Sequence, residues 1–124
     1  MQNCRLEMRD QTLVVVIEDI NVELRVSNNG KSMIVANGSP SIGNCGATLN
    51  AYRSRARQNN FTNLDWSLIG SRLEVSVINM NADYGPSTSG KTRIVAHGAE
   101  TIDGDLTVQL TVWRKPQPAY RSWY

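Results

Sequence analysis

Gly90-Lys91-Thr92-Arg93-Ile94-Val95-Ala96-His97-Gly98 has a twin sixty residues earlier, Gly30-Lys31-Ser32-Met33-Ile34-Val35-Ala36-Asn37-Gly38. Each stretch opens on a glycine turn and continues into a short β-branched run, the pattern of a turn feeding a buried strand. The likeness extends in both directions. At a constant offset of 60, Asn3 meets Asn63, Leu13 meets Leu73, Val15 meets Val75, Asn21 meets Asn81 and Ser27 meets Ser87. Ile42 meets Ile102, and conservative pairs such as Met8 with Leu68, Ile17 with Val77 and Ile20 with Met80 fill the gaps. One residue slips near Gly46, after which Leu49 meets Leu110, Tyr52 meets Trp113 and Arg53 meets Arg114. Twelve identities stand in register before the slip. Ordinary residue frequencies over roughly forty positions would give about two or three.

The pattern indicates a duplication, with repeat 1 over about 1–58, repeat 2 over about 61–115 and an irregular aromatic tail over 116–124. A unit of about 60 residues buries too little of its surface to be secure alone. Two units sharing one core remove that difficulty. The expectation is therefore a single all-β domain over 1–124: two tandem four-stranded repeats, about eight strands, forming a pseudo-two-fold sandwich or barrel. A homodimer of the half-chain is the natural ancestor.

Local patterns support strands rather than helices. Thr12 to Ile17 is a β-branched run, and Arg72 to Ile78 alternates Leu73, Val75 and Val77 with Glu74 and Ser76. Leu106 to Val112 alternates strictly and contains two threonines, which favours a strand. Its repeat partner Ala47 to Arg53 is read the same way, although Ala47 to Arg57 fits a helical pattern locally. Shorter strands are expected over Arg5 to Met8, Val22 to Val26, Ser32 to Ala36, Leu64 to Leu68 and Thr92 to Ala96. The Gly/Ser/Asn-rich segments from Asn37 to Gly46 and from Asn79 to Gly90 read as loops. Ser54 to Asn60 reads as a basic linker.

Composition narrows the function without naming it. In 124 residues the formal net charge is only +2, with 40% hydrophobic and 19% charged residues. That balance neither demands nor forbids a nucleic-acid partner. No apolar run is long enough for a membrane span, so no membrane partner is expected. The opening Met1-Gln2-Asn3-Cys4-Arg5 lacks the pattern of a secretory signal, which places the expectation in the cytoplasm. Two sequons, at Asn37 and Asn60, matter only in a secreted protein. Cys4 and Cys45 are expected as free thiols in a reducing compartment, with a disulfide the alternative. Two cysteines and one histidine, widely spaced, do not form a zinc site. No metal or other cofactor is expected.

Gly85-Pro86-Ser87-Thr88-Ser89-Gly90-Lys91-Thr92 matches the phosphate-loop pattern of nucleotide triphosphatases letter for letter. That chemistry needs a helix beginning at the lysine, so that free amides and the helix dipole hold phosphate. Ile94-Val95-Ala96 reads as strand instead, and the twin loop has Arg25 where Gly85 stands. The segment is read as a Gly-rich turn, with contact between its amides, Lys91 and an anion as a weaker alternative. His97 is the only histidine and its counterpart is Asn37, so it reads as a turn residue. Asp103 and Asp105 flank Gly104 in a turn pattern. No nucleophile–base constellation can be assembled, and no enzyme is expected.

Basic and aromatic residues coincide at the ends of both repeats. Tyr52, Arg53, Arg55 and Arg57 close the first, and Trp113, Arg114 and Lys115 close the second, with Trp123 beyond. Cations can meet phosphates while rings stack on bases, which is the chemistry of single-stranded nucleic-acid binding. The leading expectation is a non-enzymatic module for single-stranded DNA or RNA. Lys31, Lys91, Arg53, Arg55, Arg57, Arg114 and Lys115 would contact phosphate; Tyr52, Trp113 and Trp123 would stack. The alternatives are a carbohydrate- or protein-binding module with two related sites, and a structural subunit of an assembly whose partner is a further copy of the chain.

Overall fold

Side chains on a strand alternate between its two faces, and burial follows that period most clearly in two stretches of the second half of the chain. Leu73, Val75 and Val77 are buried while Arg72, Glu74 and Ser76 between them are only half covered. In Leu106 to Arg114 the inward set is Leu106, Val108, Leu110 and Val112. A computed structural model describes residues 3–22, 24–28, 30–53, 63–80 and 85–115. The described residues form eleven strands and no helix. They are β1 Cys4–Arg9, β2 Thr12–Ile17, β3 Arg25–Val26, β4 Met33–Gly38, β5 Ser41–Ile42, β6 Cys45–Arg53, β7 Leu64–Ile69, β8 Arg72–Val77, β9 Gly85–Pro86, β10 Arg93–Asp103 and β11 Leu106–Arg114.

These strands make two sheets, both antiparallel throughout. The smaller has the order β1-β2-β8-β7. The larger has the order β3-β4-β6-β11-β10-β9, with β5 paired separately to β6. Neither sheet closes on itself among the described residues. At the centre of the smaller sheet Val15 lies opposite Val75. At the centre of the larger one Leu49 lies opposite Leu110. One buried cluster draws on both sheets: Leu13, Val15, Ile17, Leu73, Val75 and Val77 from the smaller, and Leu49, Ala51, Val108, Leu110 and Val112 from the larger. Burying a large aliphatic side chain of this kind stabilises the fold by about 1.5–3 kcal/mol.

Polar side chains join the two sheets. The Asn3 amide nitrogen donates to the carbonyls of Glu18, at 3.0 Å, and Val35, at 2.7 Å. Asn63 donates likewise to Ile78 and Val95, both at 3.3 Å. Within the smaller sheet, backbone bonds join its two hairpins: the amide of Ile20 donates to the carbonyl of Ser71 at 2.9 Å, and that of Met80 to the carbonyl of Gln11 at 3.0 Å. Asp19 and Asn79, at the bends after β2 and β8, both take positive φ, a region that Asn and Asp enter more readily than most residues.

The all-β expectation holds, but the strand count is corrected from about eight to eleven among the described residues. The expected loop from Asn37 to Gly46 contains the end of β4 and all of β5, and the expected loop from Asn79 to Gly90 contains β9. β10, expected to end at Ala96, runs on to Asp103. The physical reason lies at Pro40. Proline fixes φ and lacks an N–H, so the strand is interrupted after Gly38 and resumes in the same direction along β6 as β5. Ala99-Glu100 carries no such break. Glu100 sits opposite Val108, where burial pushes its carboxyl above the usual range. The Ser54 to Asn60 linker and the tail lie outside the described residues. Cys4 and Cys45 are buried free thiols, and burial raises the pKa of each.

Candidate functional site

The larger sheet has an inner face on the core and an outer face away from it. Along β6, Cys45, Ala47, Leu49 and Ala51 point inward. Gly46, Thr48, Asn50 and Tyr52 therefore face outward. Along β11 the outward set is Thr107, Gln109, Thr111 and Trp113. Directly opposed residues in an antiparallel ladder share a face, so the register extends this outer surface across the sheet.

Two rows on it carry aromatics. One row runs Arg25, Ile34, Tyr52, Thr107, Thr101. The other runs Gly85, Ile94, Trp113, Gly46, Ser41. Between them lie Asn37, Asn50, Gln109 and Ala99, then His97, Thr111 and Thr48. Tyr52 and Trp113 thus share one face but stand near opposite ends of it. Thr107, opposite Tyr52, is six residues from Trp113 along β11, or about 20 Å at strand rise.

Each aromatic is seated differently. Trp113 lies on Gly46: a Cβ there would come within 2.9 Å of the indole ring. The missing side chain lets the ring lie low over β6. Tyr52 stands opposite Thr107, which is fully buried and whose hydroxyl is 3.2 Å from that of Thr101. The middle of the face holds no Lys, Arg, Asp or Glu among the described residues, and His97 there has its Nδ1 2.8 Å from the Thr111 hydroxyl. His97 is a strand residue, which corrects its reading as a turn residue.

The arginines adjacent to the aromatics do not share their face. Arg53 and Arg114 fall on the inward register, and their guanidinium groups are held by backbone. Nη2 of Arg53 donates to the carbonyl of Ile20 at 3.0 Å and to Oδ1 of Asn21 at 3.1 Å. Its Nη1 lies 3.5 Å from an Asp105 carboxylate oxygen. Arg114 donates through Nη1 to the carbonyl of Met80. Each arginine therefore ties an end of the larger sheet to the bend that follows β2 or β8. The sequence grouping of Tyr52 with Arg53, and of Trp113 with Arg114, places side by side residues that the strand turns to opposite faces.

Lys31 and Lys91 are exposed in the turns before β4 and β10. The turns have the same bonds. The amides of Gly30 and Gly90 donate to the carbonyls of Ser27 and Ser87, and those of Ser32 and Thr92 to the Ser27 and Ser87 hydroxyls. The Lys91 amide donates to the Ser89 hydroxyl at 3.3 Å. The segment from Gly85 to Thr92 is thus a hairpin turn between two strands, and its amides at 90–92 are already engaged. Lys115 is exposed beside Asn44, with which it exchanges two hydrogen bonds. Lys31 lies toward the Tyr52 end of the sheet and Lys91 and Lys115 toward the Trp113 end. Arg55, Arg57 and Trp123 lie outside the described residues.

Arg25 was not among the expected site residues, yet it is exposed and in the Tyr52 row. Its strand is two residues long, so only the register of β3 on β4 places it there. No group of three or more His, Cys, Asp or Glu side chains among the described residues could hold a metal ion. Comparisons with protein-family models, with curated proteins and with solved structures return no match.

Proposed function

We propose that the chain is a non-enzymatic cytoplasmic module that lays single-stranded DNA or RNA across the outer face of its larger sheet. The observation that carries this reading is the presence of Tyr52 and Trp113 on one outer face, with amide and hydroxyl side chains between them. Rings offer stacking to any base, and Asn50, Gln109, Thr48 and Thr111 offer donors and acceptors to base edges. Exposed cations stand at the margins: Arg25 and Lys31 toward one end, Arg93, Lys91 and Lys115 toward the other. Arg53 and Arg114 act instead as structural ties.

The same reading treats the chain as a tandem duplication about a pseudo-dyad, one domain built as an open two-sheet sandwich. Its support is the recurrence of details at the sequence offset. Asn3 and Asn63 donate to carbonyls of equivalent residues, and Gly30 and Gly90 take φ of 74° and 76°. Register shifts fall between Ile34 and Ala36 and between Ile94 and Ala96. The residues at each sheet centre, Val15 with Val75 and Leu49 with Leu110, are those the repeat pairs with each other.

The test is titration of fluorescent oligonucleotides at rising salt. Single-strand binding loses about 0.7 in log–log slope per phosphate neutralised. Five marginal cations therefore set a ceiling of about −3.5. Binding that needs neither salt-sensitive contacts nor the two rings would overturn the proposal. One observation favours a second reading: the centre of the face between the aromatic rows holds amides and hydroxyls and no carboxylate or basic Lys or Arg among the described residues. A neutral glycan would suit that surface. It predicts salt-insensitive binding with a stoichiometry near two.

A further inference from the structure

The two aromatic rows occupy corresponding places on the outer face, but they are not chemically equal. Arg25 heads the Tyr52 row where Gly85 heads the Trp113 row. Thr107 lies opposite Tyr52 where Gly46 lies opposite Trp113. One end therefore has a guanidinium and a smaller ring on the same face. The other has a larger ring lowered onto a bare backbone, with no charged side chain in its row.

We infer that the face is polarised: Arg25 places a phosphate-gripping cation within the Tyr52 row, whereas Trp113 makes the other row a stacking platform whose nearest cations lie outside it. This rests on the nucleic-acid reading and deepens it. Arg25 is directly opposite Ile34, and Ile34 directly opposite Tyr52, so the cation is two strands, or about 10 Å, from the ring. A base stacked on Tyr52 with its backbone running toward the sheet edge carries phosphate toward that guanidinium. Arginine suits this role through its planar donor fork. At the Trp113 end the strand edge is Gly85-Pro86, and Arg93, Lys91 and Lys115 sit beyond the row rather than in it. A bound single strand would then have a preferred direction, set by which end takes phosphate first.

The experiment measures affinity of an end-labelled 12-nucleotide oligothymidine for the full chain against potassium chloride concentration. Arg25→Gln is expected to weaken binding several-fold at low salt and to make the slope shallower by about 0.7, the loss of one phosphate contact. Trp113→Ala is expected to weaken binding while leaving the slope as it is. Gly85→Arg supplies the converse: a Cβ at Gly85 meets no atom within 4 Å, and its φ is not positive. That variant is expected to steepen the slope by about 0.7. Thermal melting of each variant confirms that it remains folded. An unchanged slope in Arg25→Gln, with the wild-type protein binding, overturns the polarity and leaves the nucleic-acid reading standing. Absence of binding by the wild-type protein at low salt overturns both.

Discussion

The outer faces of the two sheets are built on opposite plans. On the smaller sheet, Val14 and Val16 face away from the core yet are 1% and 0% exposed. Arg5, Glu7 and Arg9 from β1 and Arg72 and Glu74 from β8 cover them, linked by ion pairs of 2.9–3.3 Å among Arg5–Glu7, Arg9–Glu7, Arg9–Glu74 and Arg72–Glu74. The charged stems lie over the valines while the heads meet one another. On the larger sheet the cover is missing. Amides and hydroxyls stand between two rings, and the charges have moved to the margins. A face whose charges are mutually satisfied has little left for a ligand; a face that presents neutral amides, hydroxyls and two rings, some of them bonded to one another, offers a ligand more. The difference is why the candidate site is placed on the larger sheet.

The largest expected effect tests the seal on the smaller sheet. Val16→Asp buries a carboxylate and should cost more than ~3 kcal/mol in chemical denaturation. Gln109→Asp, at an exposed position of the other outer face, should stay within about 0.5 kcal/mol. Equal costs would erase the contrast. Next come the ties beneath the larger sheet. Arg53→Ala or Arg114→Ala strands a backbone carbonyl and should cost about 1–3 kcal/mol, while the salt slope of oligonucleotide binding stays as in the wild type. A shallower slope would return these arginines to the ligand-binding set.

Gly46→Ala should cost about 1–3 kcal/mol, because the new Cβ meets the Trp113 ring and forces it to shift. Tryptophan emission should move with it. Loss of oligonucleotide affinity in this variant, beyond what its stability explains, would sharpen the role assigned to the lowered ring. The smallest effect concerns acid. Hydrogen bonds from Arg9 above all, then Arg5, hold the Glu7 carboxyl below its usual range. A depressed carboxylate contributes stability above its unfolded range, lost as pH falls through its folded one. Melting temperature should therefore fall as the solution is acidified through that window. Glu7→Gln should flatten the fall, and added salt should weaken it, since these pairs are exposed.

Much of the architecture was legible in the sequence. Strict alternation at Leu73, Val75 and Val77, and at Leu106, Val108, Leu110 and Val112, marks strands that are half buried, and the structure has them so. Matched pairs such as Val15 with Val75 return as cross-strand neighbours. What failed to read through was short or contextual. β5 hides in a segment rich in Gly, Ser and Pro, and exists because Ser41 and Ile42 find β6 alongside. Arg25 gains its place from a two-residue pairing that no local pattern announces. The misplacement of Arg53 and Arg114 is of another kind. With Ala51 and Val112 inward, period two already sends Tyr52 and Trp113 outward and each following arginine back in. Adjacency in sequence is not adjacency on one face of a strand.

The bonds from Ile20 to Ser71 and from Met80 to Gln11 cross between the β1–β2 hairpin and the β7–β8 hairpin. Neither hairpin can peel away without releasing the other's outgoing chain. Deuterium uptake at those two amides should then keep pace with opening of the whole molecule, rather than with fraying of one ribbon. Mutational damage placed in either hairpin would register in the exchange protection of its neighbour.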